Sequence, residues 1–134
     1  MKRNPLEVQQ LVRHYEQQLA KAPAPLWMEA TDLLDVLDHF EQQNAYFESE
    51  QCMRLALRLH PDNPEVVIRR AYRLKNEGRL AEAEEVVRAL PEQDTLDVRF
   101  FLAEIALSRL EFDRAEQLFN EGLKGERDID AQLL

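Results

Sequence analysis

Small and apolar residues recur at a fixed interval through most of this 134-residue chain, and that interval limits the fold more than any single residue does. With residues 30–63, 64–95 and 96–127 superposed, Leu37, Ala71 and Ala103 form one row. Ser49, Ala83 and Ala115 align twelve residues on, and Met53, Val87 and Phe119 four residues beyond those. The interval is 34 residues from Leu37 to Ala71 and 32 from Ala71 to Ala103. Units of this length that repeat in register are supersecondary pieces that cannot bury an apolar face alone and so stack on one another. A small residue lets two backbones approach, and the larger apolar residue one turn on fills the space beside it.

Each unit has the period of a helix pair. Val8, Leu11, Val12, Tyr15 and Leu19 share one stripe of a helix predicted over 5–21, with Pro5 in its first turn. The "APAP" at 22–25 stops that helix, because proline donates no backbone hydrogen bond and restricts the residue before it. Further helices are predicted at 26–43, 46–59, about 64–77, 80–90, 95–109 and 112–124. Asn44, Gly78 and Pro91 mark helix ends, and Gly122 with Gly125 marks the last stop. No segment alternates as a strand would, and only 3 Gly and 6 Pro leave few turns. The bend "LHPDNPE" at 59–65 is punctuation: Pro61 closes one hairpin, Asn63 caps, and Pro64 starts the next helix. His60 is expected to face solvent at its helix end, near the terminal carbonyls.

This register resembles the tetratricopeptide repeat (TPR), whose pattern runs W-x2-L-G-x2-Y, then A-x3-F, then P. The first repeat reads Leu33-x2-Val36-Leu37-x2-Phe40, then Ser49-x3-Met53, then Pro61. The second reads Val67-x2-Arg70-Ala71-x2-Leu74, then Ala83-x3-Val87, and the third Arg99-x2-Leu102-Ala103-x2-Ala106, then Ala115-x3-Phe119. Arg70 and Arg99 stand where the family has apolar residues, and "RALPEQDT" shortens the step between repeats two and three. The resemblance implies an all-α, right-handed solenoid of antiparallel helix pairs. A capping helix and Pro-rich turn would occupy 1–25, repeats 26–63, 64–95 and 96–127, and the start of a truncated fourth repeat 128–134.

Seventeen basic against 26 acidic residues give a net charge of −9, which repels phosphate backbones and disfavours nucleic acid as a partner. A lone cysteine, Cys52, allows no internal disulfide and reads as a small core hydrophobe in a reducing compartment, hence a cytoplasmic protein. No apolar run reaches the length of a membrane span, so no membrane partner is expected. His14, His39 and His60 fall in different helices without metal-ligand spacing, and no phosphate-cradling glycine pattern occurs. The reading is therefore not an enzyme, with no catalytic residue, metal or cofactor. Trp27 is expected to pin the N-terminal helix to the repeats, with a binding anchor as the alternative.

The resemblance places function on a surface: in such stacks the first helix of each pair lines a concave groove that takes a peptide or a partner helix. Carried over row by row, Leu34, Ile68 and Phe100 form an apolar ladder, and Asp38, Tyr72 and Glu104 the ladder a turn on. Thr31, Glu65 and Asp97 flank one end and Glu41, Lys75 and Leu107 the other. Acids around an apolar and aromatic strip suit a basic protein or peptide ligand. The same ladder would repel the C-terminal carboxylates that one TPR subclass grips. The expected function is a non-catalytic scaffold or adaptor. The alternative is a self-assembly module whose groove or end packs on another copy. "ERDIDAQLL" at 126–134 restarts a helical pattern with Ile129, Leu133 and Leu134 apolar. An uncapped repeat end of that kind favours a longer parent protein, or weak pairing of two copies through the C-terminal end.

Overall fold

The computed structural model describes residues 2–21 and 27–133, with side chains as far as Lys124. Among the described residues the regular structure is all helical, without a strand: α1 (Pro5–Ala20), α2 (Ala30–Gln42), α3 (Tyr46–Leu59), α4 (Pro64–Asn76), α5 (Leu80–Arg88), α6 (Leu96–Ser108) and α7 (Phe112–Leu133). The helix starts follow from local chemistry. The Asn4 side chain accepts the Glu7 N–H at 2.8 Å and its amide donates to the Glu7 carboxylate at 2.7 Å, with Pro5 next in line. Asn63 accepts the Glu65 and Val66 N–H groups at 3.0 and 3.2 Å, and Thr95 accepts that of Val98 at 3.3 Å. The 59–65 bend is thus a helix junction, as its prolines predict.

Three turns share one geometry. Asn44, Gly78 and Leu110 have φ of 54°, 80° and 62°, the left-handed region that ends a helix. The next residue in each case donates back five residues: Ala45 to the Phe40 carbonyl, Arg79 to that of Leu74, Glu111 to that of Ala106, at 2.8–2.9 Å. The left-handed residue itself donates to Glu41, Lys75 or Leu107 at 2.9–3.1 Å. The carbonyls of Ala45, Arg79 and Glu111 then accept from Ser49, Ala83 and Ala115 at 2.9–3.0 Å, so one residue ends a helix and opens the next. The spacing from Asn44 to Gly78 to Leu110 is again 34 and 32 residues.

The chain divides into two compact units, residues 1–66 and 67–134. In the first, Val12 and Tyr15 of α1 meet Leu33, Val36, Leu37 and Phe40 of α2 and Cys52, Met53 and Ala56 of α3. In the second, Ala71 and Leu74 of α4, Ala83 and Val87 of α5 and Val98, Phe101, Leu102 and Ile105 of α6 share a core, with α7 packed closely on α6. The rows aligned by sequence are buried: Leu37, Ala71 and Ala103, then Ser49, Ala83 and Ala115, then Met53 and Val87, while Phe119 is half-buried.

Three expectations are corrected. The stop at Gly122 and Gly125 is absent, and α7 runs on to Leu133. Gly122 is instead a point of close approach: a β-carbon there would lie 2.9 Å from Phe100 Cε1 and 3.2 Å from Leu96 Cδ1. A helix tolerates glycine at a cost of about 1 kcal/mol, and here the missing β-carbon leaves room for those two side chains. His60 does not simply face solvent. Its Nε2 donates to the Met28 carbonyl at 2.7 Å and its ring lies 4.8 Å from that of Trp27, because the end of α3 returns beside the start of α2. Trp27 is nonetheless largely exposed, so its ring is not buried against α1 as expected. The apolar residues of the tail, Ile129, Leu133 and Leu134, lie outside the described side chains.

Leu110 is an exposed leucine held in a left-handed conformation, which costs an L-residue about 1–2 kcal/mol. Leu110→Asn, copying Asn44, should raise stability by about 0.5–1 kcal/mol, read as a higher denaturant midpoint. Ala83→Leu should lower it by about 1–3 kcal/mol, since the side chain is wholly buried between helices. An unchanged midpoint in the second variant would refute the packing register.

Candidate functional site

In the second unit the sequence candidates on α4 and α6 gather. The Tyr72 ring stands edge-on to Phe101, centroids 5.0 Å apart. The Tyr72 hydroxyl is hydrogen-bonded to the Glu104 carboxylate, with Asp97 adding negative charge nearby. Burial first, then Glu104 and Asp97, push the phenol up to about 12. Lys75 completes the group, its Nζ 3.6 Å from Glu104 and 5.9 Å from the centre of the Tyr72 ring. A cation is therefore already held against an aromatic ring and a carboxylate, which is the chemistry a basic ligand would need. Asp97 and Leu107 are exposed on α6.

The apolar ladder is largely taken up inside the fold. Leu34 and Ile68 are each only 8% exposed and belong to the cores of their own units. Phe100 is half-buried on the α7 side, 5.7 Å from the Phe119 ring and against Gly122. These side chains leave little surface for a ligand, and the accessible aromatic edge of the row is Tyr72. In the first unit Glu41 is exposed, and half-buried Asp38 lines a shallow concavity with Lys2, Arg3, Asp35 and His39. Arg3 spans that surface by pairing with both Asp32 and Asp35, so the N-terminal segment lies along the acidic edge of α2.

Sequence reasoning missed a carboxylate that meets three arginines. Glu84 of α5, with 15% of its side chain exposed, pairs with Arg88 at 2.8 Å, with Arg109 at the end of α6, and with Arg114 of α7 at 3.9 Å. Burial alone would raise its pKa, but hydrogen bonds and charge from Arg88 and Arg109 outweigh burial and hold it below the ordinary value. The i,i+4 spacing of Glu84 and Arg88 was visible in sequence; the arrival of two arginines from 25 and 30 residues away was not. Arg99, placed where the TPR pattern has an apolar residue, donates to the Glu121 carbonyl at 3.2 Å and pairs with Asp94.

Cys52 is fully buried, its thiol 3.4 Å from the Leu33 carbonyl. His14 is exposed, and the His39 ring meets Phe40 edge-on at 5.6 Å. Among the described residues no three His, Cys, Asp or Glu side chains are grouped to hold a metal ion, and no helix is long and apolar enough to cross a membrane. No family model matches the chain, and no curated protein matches it.

Because the Glu84 pKa is depressed in the fold, its stabilisation is present above the ordinary carboxylate range and is lost as pH falls through it. Glu84→Gln should cost about 1–2 kcal/mol at pH 7. The gap to the parent should narrow as pH falls below the ordinary carboxylate range and close below the depressed Glu84 pKa, read from urea midpoints at several pH values.

Proposed function

We propose that this chain is a non-catalytic protein-interaction module of TPR-like hairpins, a cytoplasmic scaffold or adaptor that binds a basic peptide or helix. The observation that carries the reading is the Tyr72–Lys75–Glu104 group, where an aromatic ring and a carboxylate already hold an ammonium. Asp97 beside it, and Asp38 and Glu41 on α2 of the first unit, carry the same negative sign and belong to the equivalent rows. The three identical turns at 34- and 32-residue spacing support a repeated hairpin, and stacking such hairpins into a right-handed solenoid is the arrangement the TPR resemblance implies. Fold analogy alone would leave the partner open; the cation held at Tyr72 is what selects a basic one.

A second reading, self-assembly, is favoured by exposed apolar residues in the third hairpin. Leu110, Phe112 and Leu123 are all exposed, which a surface kept permanently in water gains nothing from. Sedimentation across a wide concentration range decides it: a constant monomer mass removes this reading.

For the main reading, Lys75 is an internal competitor of the ligand's own cation. Lys75→Ala should tighten binding of a Lys/Arg-rich aromatic peptide by about 3–5-fold, whereas Asp97→Lys with Glu104→Lys should weaken it by about tenfold or more. Both effects should shrink at high salt. Calorimetric titration that found the three proteins equal, with circular dichroism unchanged, would refute the site.

A further inference from the structure

The first unit carries a second surface feature that the α2 acidic row does not use. A cleft of about 480 Å³ opens between α1, α2 and α3. Half-buried Leu19 is part of its apolar surface, and the core rings of Tyr15 and Phe40, edge-to-face at 6.0 Å, lie beneath it. Glu16, Phe47 and Glu48 also line it. Its volume lies in the range of pockets that take a drug-sized ligand or a few side chains, roughly 300–1,000 Å³.

Two features of this cleft point to an occupant. Phe47 sits in the first turn of α3 with 73% of its surface exposed, so its ring contributes almost nothing to the core and offers an apolar face to any visitor. The charge on the lining has one sign: two carboxylates, Glu16 and Glu48, one imidazole, His39, and neither lysine nor arginine.

We propose that this cleft docks a segment of another protein in which a bulky apolar side chain, of the leucine or phenylalanine class, is flanked by lysine or arginine. The apolar side chain lies on half-buried Leu19 against the Phe47 ring, and the flanking cations meet Glu16 and Glu48. Acidic lipid headgroups and nucleic acid are repelled by the same carboxylates and by the net charge of −9. The surface is separate from the Tyr72–Glu104 group, so either can fail without the other.

The test is a titration of the isotope-labelled full chain, followed by amide chemical shifts, with the synthetic peptide Lys-Arg-Phe-Lys-Arg and its Phe-to-Ala counterpart. The phenylalanine peptide should shift the amides of Gln43, Ala45 and Phe47 with a Kd on the order of 1 mM or tighter. The alanine peptide should bind at least about fivefold more weakly. Phe47→Ala should lose about fivefold and Glu16→Lys with Glu48→Lys about tenfold, all these positions being exposed and the fold therefore retained. Asp97→Lys with Glu104→Lys should leave these shifts within about twofold of the parent. Equal binding of the two peptides, an unchanged Phe47→Ala titration, or shifts that avoid the cleft would each overturn the proposal, as would no shift at several times the expected Kd.

Discussion

The three tight helix hairpins of this fold depend on three residues in the left-handed conformation. A left-handed residue at 44, 78 and 110 lets the next N–H reach back five residues, and that bond closes one helix while its own peptide carbonyl opens the next. A turn so short leaves no slack in which the second helix could drift along the first. The wholly buried alanines follow from it: Ala83 and Ala115 each donate to the carbonyl that opens their helix, so each sits one turn in, where two backbones are forced together. A small side chain suits such a place, and the equivalent residue of the first turn is buried Ser49.

Where the turn does not set the geometry, charge and small residues hold the edges. Gly122 admits Phe100 and Leu96 to the surface of α7, and Arg99 donates across to a carbonyl of the same helix. Glu84 gathers arginines from the ends of α5 and α6 and the start of α7. Pairs at exposed positions are each worth little, but a carboxylate mostly withdrawn from water and met by several guanidinium groups is costly to leave alone. The second unit is thus closed twice, by packing at its middle and by one carboxylate at its rim.

Much of the fold was legible because it is local. Asn63 with Pro64, Asn4 with Pro5, and the rows of alanines act within one or two turns, and their chemistry reads directly from residue order. Leu110 was illegible for a physical reason: leucine has no preference for positive φ, and only the requirements of the turn impose it. Gly122 read as a stop because glycine ends helices by propensity, whereas here the side chains of a neighbouring helix need the room. The Glu84 cluster depends on distant residues that meet only after folding. The candidate surface was legible in its charged members, Lys75, Asp97 and Glu104. It was not legible in its apolar ones, because period alone does not say whether Leu34, Ile68 or Phe100 faces a groove or a core.

The intramolecular cations constrain how any basic partner could gain affinity. In the first unit Arg3 already lies on Asp32 and Asp35, and in the second Lys75 already lies beside Glu104. A ligand cation arriving at either surface exchanges one ion pair for another, and exposed pairs differ by less than about 1 kcal/mol. Charge then sets the direction of approach and the rate of encounter more than the final affinity. Affinity must come from apolar area that the fold has not consumed. Leu34 and Ile68 are spent on the cores, so at the rows themselves that area is the edge of Tyr72 and exposed Leu107, and outside them it is Phe47 with the cleft beside it. A basic segment without a bulky apolar residue would meet the right field and find nothing to hold it.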